Sequence, residues 1–165
     1  MSAGLFRRAT ARLAAARSDG GFGPRPGMTA EPEPTALASL AIGDDEARWW
    51  LASHQRPDGG FALVAGDVVS DAATALAGLA LGPGESRERA LDHVLANQAQ
   101  RLPSNPDSPH DPNLRGWGWT PDTFGWVEPT AHAVLALQLL RPWAYAALAD
   151  GLAVLADREI GRAHV

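Results

Sequence analysis

Apolar positions in this chain come in blocks rather than in strict alternation. Runs rich in alanine and leucine carry apolar residues three and four apart, the spacing of one helical face. Such runs span 3–17, 34–42, 72–81 and 128–140. In the last three, Leu37, Leu40, Leu76, Leu79, Leu135 and Leu139 recur on one stripe and are expected to be buried. Other helices fall between them. Gly43 can end one helix and Asp44 cap the next, which runs through Trp49, Trp50 and Leu51 towards Gln55. Gly82-Pro83-Gly84 is a break, after which Glu85 or Ser86 opens a helix through Leu91, Val94 and Leu95. Pro142 suits the first turn of a last helix through Tyr145, Leu148, Leu152 and Leu155. The expected total is seven helices and no strand.

Three segments repeat one another. Phe22, Phe61 and Trp117 each follow a glycine and stand 13 residues before Thr35, Thr74 and Thr130, and each threonine opens a run of alanine and leucine. The three threonines lie 39 and then 56 residues apart, so one supersecondary unit has been copied. Units of this kind are stable only when stacked. The third carries 17 extra residues near 101–115, where Pro103, Pro106, Pro109 and Pro112 recur every third position. That spacing suits polyproline II and forbids helix. It fits an extended surface loop, a lid, or a ligand for a proline-recognising domain.

Composition narrows the class. The 165 residues suit a single domain, 1–165. A net charge of −5 with no basic stripe argues against nucleic acid. The absence of cysteine excludes disulfides and thiolate chemistry. Ala131–Leu140, the longest apolar stretch, contains His132 and Gln138 and is too short to span a membrane. No apolar core of a secretory signal follows Arg7 and Arg8, so a cytoplasmic location is expected.

Trp50-Leu51-Ala52-Ser53-His54-Gln55-Arg56-Pro57-Asp58-Gly59-Gly60-Phe61 reads as an aromatic, an aliphatic, a glutamine, a turn, then glycine and an aromatic. This resembles the repeat of squalene and oxidosqualene cyclases and of protein prenyltransferase β-subunits. Asp19-Gly20-Gly21-Phe22 repeats its end, His93 to Gln98 its front, and Gly116-Trp117-Gly118-Trp119 with Trp126-Val127-Glu128-Pro129-Thr130-Ala131 is similar again. The resemblance implies an all-α fold, an α/α toroid in which outer helices carry the glutamines and inner helices line a cavity. A complete ring has about six hairpins of about 40–50 residues. This chain would form about half of one, a partial toroid of three to four stacked hairpins. Gln55, Phe61 and Trp117 are expected to staple neighbouring repeats.

The chemistry that the resemblance implies is only partly matched. Class II terpene cyclases use Asp-x-Asp-Asp before Thr-Ala. Here the corresponding residues are Glu31-Pro32-Glu33-Pro34, Ser70-Asp71-Ala72-Ala73 and Trp126-Val127-Glu128-Pro129. Prenyltransferases hold zinc with the help of a cysteine, and this chain has none. Glu33 and Glu128 occupy the acid position, yet glutamate and proline also suit a helix N-terminus. His132 replaces the leucine of the other repeats and lies four residues after Glu128, so the two share a helix face. Glu128 and His132 are therefore the candidate acid and base, with Glu33, Trp119, Phe124 and Trp126 as candidate ligand contacts. No cofactor or metal is expected. The leading expectation is a non-catalytic or accessory member whose concave face binds an apolar, isoprenoid-like ligand or a ring-completing partner, such as a second copy. An isoprenoid-processing enzyme using Glu128 and His132, and a pure protein-interaction scaffold, are the alternatives.

Overall fold

The computed structural model describes residues 3–64, 69–103, 107 and 110–158. Among them are seven helices and no strand: α1 (Ala3–Ala14), α2 (Pro32–Ile42), α3 (Asp45–His54), α4 (Asp71–Ala80), α5 (Glu85–Ala96), α6 (Val127–Leu140) and α7 (Tyr145–Asp157). The fold is all-α. Local chemistry explains most boundaries. Gly43 ends α2 with φ 69°, donating its N–H to Ser39 O, and the Asp44 side chain accepts from Ala47 N to open α3. Pro142 does not enter the last helix as expected. Ala144 N bonds back to Arg141 O at 2.9 Å, so Pro142 and Trp143 form a turn and α7 begins later.

The spacing of 13 residues has one cause in all three repeats. The backbone N–H groups of Phe22, Phe61 and Trp117 donate to Oγ1 of Thr35, Thr74 and Thr130, each at 2.9 Å. The carbonyls of the same aromatics accept from Glu31 N (3.0 Å), Ser70 N (2.8 Å) and Trp126 N (2.8 Å), one turn before each threonine. Each glycine–aromatic turn is thus clasped onto the start of the helix that follows it. The glycine before the aromatic is required by close approach. A Cβ on Gly60 would stand 2.6 Å from Val69 Cγ1 and 2.8 Å from His93 Cε1. Gln55 extends the clasp to the next outer helix, its Nε2 donating to Gly59 O at 2.9 Å and to Ser86 O at 2.8 Å. Thr74→Val keeps the shape and leaves the buried Phe61 N–H unpaired. It is expected to cost about 1–3 kcal/mol in urea denaturation, and a loss under about 0.5 kcal/mol would mean that the hydroxyl does not close the turn.

Helices α2, α4 and α6 pack side by side in a row, with α4 in the middle. Helices α3, α5 and α7 back α2, α4 and α6 respectively, and α1 lies against α2. Three hairpins therefore follow one leading helix. Each repeat aromatic anchors its own core: Phe22 with Ala38 and Ala47, Phe61 with Trp50 and Leu51, Trp117 with Val94, Val134 and Leu137. Four of the six leucines expected in the core are exposed. Leu76 is buried and Leu79 partly so, but Leu37, Leu40, Leu135 and Leu139 are 47–64 % exposed. The row is joined through alanines instead, among them Ala36, Ala73, Ala75, Ala77, Ala133 and Ala136, all fully buried. Alanine lets the helices approach closely and leaves the longer side chains of the flanking helices outside the seam.

The extra residues of the third repeat leave and return at one place. Ala99 N donates to Gly116 O at 2.8 Å and Leu102 N to Pro112 O at 3.1 Å, which closes the loop at its base. Arg101 ties it to Asp150 on α7 at 3.2 Å. Of the four prolines, Pro106 and Pro109 lie outside the described residues.

Candidate functional site

Glu33 is far from Glu128 and His132 in sequence but not in space. Glu33 stands in the first turn of α2, Glu128 in that of α6 and His132 one turn further on, with α4 between the two helices. The Glu33 carboxyl is pushed above the usual carboxylate range. Burial is the largest cause. The Glu128 charge also raises it, His132 opposes the rise and Glu31 adds to it. The charges of α2 and α6 thus act on one another across the front of α4. Among the described residues Glu128 and His132 are not ion-paired, and the buried His132 Nδ1 has no hydrogen-bond partner. A carboxyl that keeps its proton to higher pH, close to an imidazole, can donate or accept a proton.

The aromatic candidates divide. Trp117 is fully buried, with its indole N–H donated to Val94 O at 2.7 Å. Trp119 is half-buried. Phe124 and Trp126 stack at 5.0 Å between centroids and remain 45 % exposed. Because the Trp126 backbone is held by Trp117 O, these rings are displayed from a fixed point beside Glu128.

A groove of about 670 Å³ runs between α1, the loop 22–26 and α2. Its apolar wall includes Leu13, Phe22, Pro24, Pro26, Leu37 and Ala41, and Arg12, Arg25 and Glu33 supply its polar groups. Glu33 therefore belongs both to the charged cluster and to the groove. The exposed Leu37, expected in the core, is part of the wall.

A second pair escaped sequence reasoning. Asp71, the first residue of α4, and His93 on α5 are both buried, with Oδ1 and Nε2 3.7 Å apart. His93 Nδ1 lies 3.1 Å from Asp58 O. A carbonyl only accepts, so Nδ1 carries hydrogen there. Nε2 then faces Asp71, and neither atom has another hydrogen-bond partner among the described residues. Burial raises the Asp71 carboxyl, opposed by His93. Burial alone would lower His93, but hydrogen bonding to Asp71 and Asp58 and their charges more than offset it, so His93 is raised. The repeat held one signal of this pair. His93 stands five residues before Gln98 as Trp50 does before Gln55, and both residues crowd the glycine of a clasp, Gly60 and Gly21. A histidine at a core aromatic position calls for a buried partner.

Among the described residues no group of three or more His, Asp or Glu side chains could hold a metal ion. No described helix is long and apolar enough to cross a membrane. No protein-family model matches this chain, and no curated protein matches it.

Proposed function

We propose that this chain is an arc of an α/α toroid of the squalene-cyclase and prenyltransferase kind, non-catalytic or accessory, that binds an apolar, isoprenoid-like ligand in the groove between α1 and α2. The threefold clasp supports the repeat reading, since one set of hydrogen bonds accounts for the glycine, the aromatic and the threonine of the motif. The groove carries the ligand reading. Its volume of about 670 Å³ falls in the range of small-molecule sites, and its wall is mostly apolar with few polar groups. Asp-x-Asp-Asp is missing, and Glu128 is exposed, so the acid chemistry of a cyclase has little to rest on. Farnesol is a suitable probe. Calorimetry is expected to show binding in the micromolar range, weakened at least tenfold by Leu37→Asp, because a charge in the wall opposes burial of the chain. Absence of binding, or equal binding by the variant, would overturn the reading.

A ring-completing partner, such as a second copy, is favoured by a different observation. Leu135 and Leu139 on α6 are 47 % and 64 % exposed, and neither lines the groove. Apolar side chains left out on a flanking helix are what a further hairpin would cover. Light scattering at micromolar concentration is expected to show a dimer that Leu139→Glu dissociates.

A further inference from the structure

Helix α1 carries Arg7, Arg8 and Arg12 and no acid, although the chain as a whole is acidic. Outside α1 and the loop 22–26, the described arginines are held by main-chain carbonyls, as Arg87, Arg89, Arg115 and Arg158 are, or by carboxylates. Arg17 meets Asp44 and Glu46, Arg48 meets Asp45, Arg101 meets Asp150, and Arg141 meets Glu88 and Asp92. Arg12 and Arg25 differ. Both line the groove, and neither guanidinium is ion-paired among the described residues. They come from separate elements, α1 and the loop 22–26.

We infer that the ligand of the groove is an amphiphile with an anionic head group, a carboxylate or a phosphate monoester, held by Arg12 and Arg25 while its chain lies along Leu13, Phe22 and Leu37. This rests on the ligand reading above and adds the charge of the head. A guanidinium offers two parallel N–H donors, which match both kinds of oxyanion. Among the described residues Glu33 is the one carboxylate that lines the groove. Burial and the Glu128 charge favour its neutral form, which reduces its repulsion of an anion.

The test compares dodecanoate and dodecyl phosphate with uncharged dodecanol, all below their micellar concentrations, by calorimetry on wild type, Arg12→Gln/Arg25→Gln, Glu33→Gln and Leu37→Asp. All four substitutions are on partly or fully exposed side chains, so the fold is expected to persist, and circular dichroism checks this. The anions should bind at least tenfold more tightly than dodecanol in wild type. The double arginine variant should abolish that margin and leave dodecanol unchanged, and Glu33→Gln should tighten the anions. Raising the salt should weaken only the anions. The preferred anion identifies the head group. Equal binding of dodecanol and both anions, indifferent to the arginines but lost in Leu37→Asp, would overturn the anionic head and leave the apolar site standing. Binding of none of the three, or binding untouched by Leu37→Asp, would overturn the apolar site itself and the head group with it.

Discussion

Trp117→Ala is expected to remove about 3–5 kcal/mol of stability. Domains of this size are stable by about 5–15 kcal/mol, so this one change would leave the chain marginal. Three losses coincide at the site. The indole is fully buried among Val94, Val134 and Leu137, so truncation opens a cavity between α5, α6 and α7. Its N–H is donated to Val94 O at 2.7 Å, near the end of α5, and that carbonyl would lose its side-chain donor. The approach of α7 is fitted to the ring, since a Cβ on Gly151 would stand 2.9 Å from Trp117 Cζ3. Trp117→Phe keeps much of the volume but loses the hydrogen bond, and should cost about 1–2 kcal/mol. Trp143→Ala is the control. That indole is 64 % exposed, and its loss should stay within about 0.5 kcal/mol. Urea denaturation of the three variants gives the order directly. A Trp117→Ala protein as stable as Trp143→Ala would mean that the third repeat is not built around its aromatic.

The repeat was legible because its cause is local. A threonine 13 residues after an aromatic closes a turn by accepting the aromatic's backbone N–H, and such a turn leaves glycine, aromatic and threonine at fixed spacing. Helix ends at Gly43 and Asp44 were legible for the same reason. The leucine stripe was misread because periodicity shows that a face is apolar, not which apolar face a neighbour covers. In α2 both Ala36 and Leu37 are apolar, and packing against α4 buried the alanine. Glu33 and Glu128 could be placed at equivalent positions of two repeats. Their mutual influence over 95 residues of sequence depends on how three helices are set in a row, which no local pattern records. The groove depends likewise on where α1 lies. His93 was hidden by its own helix, since α5 reads as amphipathic whether or not that position is buried.

The Asp71–His93 pair should make stability depend on pH in a defined direction. His93 is raised in the folded protein, so its contribution is present in full below the ordinary imidazole value, about 6.5, and is lost as pH rises through the higher folded value. Asp71 is raised too, so its contribution is present below the usual aspartate value, about 3.9, and is lost as pH rises through its folded value. Both members therefore favour proton uptake on folding. The geometry gives the reason. With Nδ1–H directed at Asp58 O, an unprotonated Nε2 and an ionised Asp71 would be two buried acceptors face to face. One proton between them relieves this. Stability measured by urea denaturation should fall as pH is raised from about 6 to about 9. Asp71→Asn removes the carboxylate while keeping its size. Burial, the largest influence on His93 and the one that lowers it, then meets less opposition, and the fall with pH should flatten or reverse. Asp71→Ala should cost about 3–5 kcal/mol near pH 6, because it leaves a buried imidazolium without its carboxylate. NMR titration of the histidines completes the test by following His93 itself. Parallel stability curves for wild type and Asp71→Asn, with an unchanged His93 titration, would mean that the pair does not share a proton.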